Sequence, residues 1–132
     1  MKATRLILSS LMFCFCAVAL EAQLKDMQIG SRPLTDADME KYVAIHKVAA
    51  KAAYALKGDT SPGAVQKLQE TTRKACEPHG WGTLDYSVVN ARVDAALMLI
   101  KMEKQTPVPP KKKADVTLVK KWQDKITEAR KP

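Results

Sequence analysis

Apolar residues recur at helical spacing in four segments of this chain, and proline and glycine separate the segments. The separators are Gly58 and Pro62, then Pro78, Gly80 and Gly82, and finally Pro107, Pro109 and Pro110. A period near 3.6 residues is typical of amphipathic helices rather than of strands. We therefore predict an all-α fold. Residues 34–104 are expected to form a small antiparallel three-helix bundle, and a C-terminal amphipathic helix at 115–132 follows a Pro/Lys-rich linker at 105–114.

Start and stop signals give the predicted helices their bounds, which are 36–57, 62–76, 84–104 and 115–132. Thr35 and Asp38 have the spacing of a capping box at the start of the first helix. Thr83 and Asp115 are predicted to cap the third and fourth helices. Pro78 disfavours helical geometry at the residue before it, so the second helix is expected to end at Cys76.

The third predicted helix carries apolar residues on two opposite sides. One stripe contains Tyr86, Val89, Val93, Ala96, Leu97 and Ile100, and the other contains Leu84, Val88, Ala91, Ala95, Met98 and Met102. A helix that is apolar on two sides is usually packed between neighbours. We therefore expect this helix in the centre of the bundle, covered by the first and second helices.

The first 22 residues have the three parts of a secretory signal peptide. Lys2 and Arg5 precede an apolar run over residues 6–20, and small residues follow up to Ala22. This run is shorter than the roughly 20 residues with which a helix crosses a bilayer, although an uncleaved anchor is the alternative. We predict cleavage after Ala22, a secreted or periplasmic protein, and an N-terminal extension at residues 23–33.

Cleavage after residue 22 would change both the charge and the cysteine content of the chain. It leaves 20 basic and 13 acidic residues, a net charge of +7. It also removes Cys14 and Cys16, so Cys76 has no partner for an intramolecular disulfide. Cys76 then fits a buried apolar position on the second helix. An intermolecular disulfide is the alternative, and a homodimer is therefore left open.

Positive charge is concentrated in the C-terminal part of the chain. Residues 108–132 hold eight basic and three acidic residues, whereas residues 23–107 carry a net charge of +2. In an exported protein such a segment favours anionic lipid, envelope polysaccharide or an acidic protein as partner, and nucleic acid is not expected. The candidate binding residues of this basic tail are Lys111, Lys112, Lys113, Lys120, Lys121, Trp122, Lys125 and Arg130. The alternative is a solvated tail whose helix docks on the bundle through Trp122 and Ile126.

Three side chains are candidate metal ligands, namely His46, Cys76 and His79. Imidazole and thiolate suit zinc and copper. However, the spacing from Cys76 to His79 is that of neither a paired-cysteine site nor a haem attachment site, so we predict no metal and no other cofactor. His46 fits a partly buried imidazole that is hydrogen-bonded to a neighbour. A metal-binding protein that uses these three residues is the alternative.

The sequence contains no evident catalytic group. Its carboxylates are scattered among lysines, as on solvated helix faces, and neither histidine has an evident nucleophilic partner. Arg92 lies on a narrow polar strip of the third helix, where an arginine usually pairs with a carboxylate of an adjoining helix. The expected partners are Glu40, Glu70 or Glu77. We predict a non-enzymatic binding module, and the alternative is a small enzyme with His46, Arg92 and an acid in one cleft.

The junction between the second and third helices reads His79-Gly80-Trp81-Gly82-Thr83, followed by Tyr86, Val89, Arg92 and Val93. This pattern resembles one found in small exported helical bacterial proteins of unknown function, in which a helix ends in glycine and an aromatic residue before a capped turn. The resemblance covers residues 34–104 and implies a fold but no activity. Gly80 permits the left-handed turn, and Trp81 is expected to be buried beside it.

Overall fold

The computed structural model describes residues 29–132. Two compact units make up the chain, residues 1–32 and residues 33–132. In the first unit the description covers residues 29–32, of which 29–31 are helical. The predicted signal peptide at 1–22, its cleavage site after Ala22 and most of the predicted extension lie outside the described residues.

The second unit is built from four α-helices joined by turns, and the all-α prediction is confirmed. The helices are α1 (Asp36–Ala55), α2 (Pro62–Cys76), α3 (Thr83–Met102) and α4 (Lys113–Ala129), with 3₁₀ turns at Glu77–His79 and Pro110–Lys112. Within residues 29–132 no helix combines the length and the hydropathy that a membrane span requires.

The predicted signals at the start and end of α1 are confirmed. Asp38 N–H donates to Thr35 Oγ1 at 3.3 Å, and Thr35 N–H donates to Asp38 Oδ2 at 2.8 Å, which completes the capping box. At the other end Lys57 and Gly58 both have left-handed backbones, with φ of 49° and 80°. Glycine adopts this conformation without steric cost, as expected for Gly58, but α1 itself ends at Ala55, two residues before the predicted Lys57.

Several helix ends differ from the prediction. One is the end of α1, described above. α2 ends at Cys76 as predicted, although Glu77 keeps right-handed helical geometry before Pro78 in a 3₁₀ turn. The residue before α3 is Gly82 rather than Thr83, and its N–H donates to the Asp85 carboxylate at 2.8 Å. α4 begins at Lys113, so Asp115 lies inside its first turn instead of capping it. Gly80 adopts the expected left-handed conformation with φ 69°, and Trp81 is buried.

α4 packs on the same core as the other helices. It contacts both α1 and α3, and α2 contacts the same two helices. Val119, Trp122 and Ile126 of α4 are buried, as are Met39 and Tyr42 of α1. Of the two alternatives for the tail, the structure therefore shows the docked helix. The Pro/Lys-rich composition of residues 105–114 indicates an extended linker to a separable C-terminal helix. In the structure these residues instead connect α3 to α4, and both helices are packed in the same unit.

The position of α3 also differs from the prediction. Its first apolar stripe is buried at Val89, Val93 and Ala96, but Leu84 and Met98 of the second stripe are 58% and 64% exposed. The sandwiched position is therefore wrong. The physical reason is that α4 joins α1 and α2 in covering the first stripe, so no helix within the described range lies over the second.

Candidate functional site

The exposed stripe of α3 holds three of the six large apolar side chains that are exposed on the described residues, Leu84, Met98 and Met102. It consists of Leu84, Val88, Ala91, Ala95, Met98 and Met102, and we call it the α3 seam. Its members follow one another at alternating steps of four and three residues, the spacing with which one helix packs along another in a coiled coil. Val88 is half-buried, and the other five residues are exposed. A contiguous exposed apolar stripe of this kind is typical of a protein interaction site.

A cluster of three rings lies between α1 and α3. The ring centroids of Tyr42 and His46 are 5.2 Å apart, and those of Tyr42 and Tyr86 are 6.0 Å apart. His46 Nδ1 lies 2.8 Å from Tyr86 Oη, and Tyr42 O–H donates to Asn90 Oδ1 at 2.8 Å. The prediction of a hydrogen-bonded, partly buried His46 is thus confirmed.

Arg130, at the end of α4, joins the cluster from the other side. Its Nη2 group donates to Tyr42 Oη at 3.4 Å and to Asp94 Oδ1 at 2.5 Å. Arg130 was expected in the basic tail, and Tyr42, Asn90 and Asp94 had no predicted role in a site. The spacing of Tyr86, Asn90 and Asp94, four residues apart on one face of a helix, is the signal that was available.

The chemistry of the ring cluster is that of neutral groups. Burial raises the pKa of both Tyr42 and Tyr86, so neither phenol is primed to lose its proton. Burial, and then the nearby charge of Arg130, lowers the pKa of His46. A neutral imidazole bonded to a neutral phenol stabilises the packing of α1 on α3, and it provides no activated nucleophile.

We expect the stability of the protein to fall between about pH 7.5 and about pH 5.5 because of His46. Its lowered folded-state pKa means that the unfolded chain binds the proton more tightly. The stabilisation that neutral His46 contributes to the folded state is therefore fully present above the pKa of about 6.5 that His46 has in the unfolded chain. This stabilisation is lost as the pH falls toward the folded-state pKa of His46. Urea unfolding at both pH values measures the effect. His46→Gln should flatten this dependence while the control His79→Gln keeps it, and an unchanged slope in His46→Gln would contradict the assignment.

The candidate binding residues of the tail separate into two groups. Lys120 pairs with Glu103 at 2.6 Å, and Lys121 pairs with Asp36 at 2.9 Å. Lys125 Nζ lies 4.4 Å from the centroid of the Trp122 ring. These lysines and Arg130 therefore interact within the fold. The second group, Lys111, Lys112 and Lys113, is exposed around the start of α4.

Trp122 is a structural contact rather than an exposed anchor. It is 6% exposed, and its Nε1–H donates to Asp36 Oδ1 at 2.7 Å. This bond, followed by the bond from Lys121, lowers the pKa of Asp36. In the docked position of α4, Trp122 is therefore buried in the fold instead of lying on the exposed surface of the tail.

Arg92 has the interhelical carboxylate partner that was expected, but the partner is a different residue. Its Nε and Nη2 groups donate to the two carboxylate oxygens of Asp115 at 2.9 and 2.7 Å. Asp115 was not among the expected partners of Arg92, because it was predicted to cap a helix beyond a linker. His46 is bonded to Tyr86, whereas Arg92 is bonded to Asp115.

The three metal candidates do not form a cluster. Among residues 29–132 no group of three or more His, Cys, Asp and Glu side chains is arranged to hold a metal ion. His46 faces Tyr86, as described above. Cys76 is fully buried, and burial raises the pKa of its thiol, which disfavours the thiolate that metals bind.

An open groove of about 1000 Å³ lies between α2 and the start of α3. Leu68, Thr72 and Tyr86 are among its lining residues. Its charged residues are Lys67, Glu70 and Arg73, and Arg73 Nη2 donates to Glu70 Oε1 at 2.6 Å, with both side chains about half exposed. The groove is wide and solvated, and two of its three charges are paired with each other.

No protein-family model, curated protein or solved structure matches this chain. The resemblance to small exported helical proteins therefore stays a prediction. Functional inference depends on the geometry of the described residues, in which the α3 seam is the surface feature that the fold itself does not use.

Proposed function

We propose that this protein is an exported, non-enzymatic helical module that binds another protein through the α3 seam. The observation that carries the proposal is the exposure of Leu84, Met98 and Met102, which are 58%, 64% and 43% exposed on one face of a helix. Leaving large apolar side chains in water costs free energy that a partner would recover on binding. Export rests on the signal-peptide pattern of residues 1–22.

The form of the seam favours a helical protein partner over a small molecule or a membrane. A continuous line with a period near 3.5 residues matches the apolar line of another helix. The seam lies on the outer surface of α3, whereas small molecules usually bind in concave pockets. Its flanks carry Asp94 and Lys101, while a helix that lies in an anionic interface usually has a polar face rich in lysine and arginine.

The basic tail supports a second candidate contact, with an anionic surface of the cell envelope or an acidic protein. Lys111, Lys112 and Lys113 are consecutive and exposed, and each adds positive charge at the same place. A polybasic segment gains about 1 kcal/mol per lysine close to an anionic membrane, and salt screens this gain. In the docked protein such binding is electrostatic, without insertion of Trp122.

The test of the seam is site-specific photocrosslinking in the producing cells. We expect a probe at Met98 to capture a protein partner, and a probe at Tyr54, which is 68% exposed on α1, to capture none. Ala95→Lys should remove the capture at Met98, whereas Val65→Lys on α2 should not. A probe at Lys112 tests the second candidate contact, between the basic tail and an anionic partner. Crosslinking at Lys112 should weaken in high salt. Capture at Met98 that is indifferent to Ala95→Lys would contradict the proposal.

A further inference from the structure

We propose that the occupant of the α3 seam is a second copy of this chain, with the two α3 helices packed antiparallel. This inference rests on the proposed function and names the partner. Three observations carry it: the order of side-chain sizes along the seam, the charge balance of the face, and the position of the Asp94–Arg130 ion pair.

The order of sizes along the seam is nearly symmetric about its centre. Leu84 and Val88 at one end and Met98 and Met102 at the other flank the small residues Ala91 and Ala95. An antiparallel copy centred between the two alanines places Ala91 opposite the second copy's Ala95, where small side chains let the two backbones approach closely.

In the same alignment the larger residues meet at both ends. Leu84 lies opposite the second copy's Met102, and Val88 lies opposite its Met98. The contact line spans about 27 Å, from about 1.5 Å of rise per residue between Leu84 and Met102. All six residues of the seam are then covered in both copies, as a two-fold symmetric interface requires.

The charges on the exposed face allow two copies to approach. The described chain is strongly basic, and a surface with excess lysine would repel its own copy. The face that carries the seam has Asp94, its ion-pair partner Arg130 and Lys101 at its edge. These three residues give this edge a net charge of +1, in contrast to the +3 of the Lys111–Lys113 segment.

The pair of Asp94 with Arg130 gives the antiparallel arrangement its charge complementarity. Asp94 lies at the edge of the seam near its centre, so an antiparallel copy brings the two Asp94 residues close together. Each carries an Arg130 at 2.5 Å, and both side chains remain partly exposed, at 52% and 36%. The carboxylates of the two Asp94 residues and the guanidinium groups of the two Arg130 residues can then alternate across the two-fold axis of the dimer. A parallel copy would instead set Asp94 against the second copy's Leu99, with no such exchange.

A shifted antiparallel register is less favourable. Moving one copy by a heptad places Asp94 opposite the second copy's Lys101, but it leaves Leu84 and Val88 of both copies uncovered. Ion pairs between exposed side chains contribute little, whereas covering aliphatic side chains contributes more. The centred register is therefore the one that we propose.

The test is analytical ultracentrifugation of the full chain, purified as the producing cell processes it, over a concentration series from about 1 to about 500 µM. We expect a reversible dimer. Met98→Lys should raise its dissociation constant at least tenfold, because it sets an unpaired cation among apolar residues at each end of the interface. The matched control Tyr54→Lys, also an exposed apolar residue, should leave the constant unchanged. Far-UV circular dichroism checks that both variants stay folded.

Disulfide trapping tests the direction of the helices. Leu84→Cys chains mixed with Met102→Cys chains should form mixed disulfides, and neither should link efficiently to itself, since Cys76 is buried. Self-linked Leu84→Cys chains would overturn the antiparallel arrangement. A wild-type monomer throughout the series, or a dimer unaffected by Met98→Lys, would overturn the second copy as occupant. Seam-dependent capture of a different protein would then leave the proposed function intact, and loss of that capture as well would overturn both.

Discussion

A chain that ends at Thr106 is expected to lose cooperative folding. The truncation removes α4 and with it five buried apolar side chains: Val116, Val119, Trp122, Ile126 and Ala129. Burying a large apolar side chain is worth about 1.5–3 kcal/mol, so the four larger residues together contribute roughly 6–12 kcal/mol. The whole stability of a small domain is about 5–15 kcal/mol. The loss of α4 therefore approaches the total.

The truncation also removes hydrogen bonds and ion pairs that α4 makes with the other helices. Arg92 loses the carboxylate of Asp115, and Tyr42 and Asp94 lose Arg130. Met39 and Tyr42, both fully buried in the complete unit, belong to the core that α4 helps to cover. Exposure of such residues to water adds to the cost of removing the helix.

Thermal and urea unfolding, followed by near-UV and far-UV circular dichroism, would measure this effect. The matched control is the full-length chain with Lys111, Lys112 and Lys113 changed to glutamine, which removes three positive charges from the tail but keeps every buried contact. This control should unfold as cooperatively as the wild type. A truncated chain with an unchanged midpoint and intact near-UV signal would show that α4 is a separable element.

The helices themselves could be predicted because their signals are local. Thr35, Asp38 and Gly58 act on residues within one turn of themselves, and the structure has each where the sequence indicated it. α2 likewise ends at Cys76 as predicted, and the chain continues into a 3₁₀ turn over Glu77–His79. The ends that differ include the end of α1 and the starts of α3 and α4, each within two residues of the prediction.

The arrangement of the helices could not be predicted in the same way, because periodicity shows which faces are apolar and not what covers them. The two stripes of α3 have similar composition, yet one is buried and the other exposed. The stripe that faces α4 is the buried one. The docking of α4 could not be predicted, because the proline-rich segment before it indicates a linker between separate elements. The bonds of Asp94 and Asn90 could not be predicted either, because they depend on how the helices are arranged. Their partners Arg130 and Tyr42 lie 36 and 48 residues away in sequence.

The ion pair of Arg92 with Asp115 is expected to give the largest effect of any single polar substitution. Both side chains are almost buried, at 16% and 8% exposed, and the guanidinium group bonds both carboxylate oxygens. Removing one partner of a buried pair leaves the other charge uncompensated and costs about 3–5 kcal/mol. We expect Arg92→Ala and Asp115→Ala each to lower the free energy of unfolding by this amount.

The matched control is Arg73→Ala on α2, which breaks an arginine pair with Glu70 that is about half exposed on both sides. Exposed pairs are worth about 0–1 kcal/mol, so the two arginines should differ by at least about 2 kcal/mol in urea unfolding. The double variant Arg92→Ala with Asp115→Ala should cost clearly less than the two single costs added together, because each single change already breaks the bonds between the two side chains. Additive costs, or an Arg92→Ala as mild as Arg73→Ala, would mean that the pair does not hold α4 on α3 in solution.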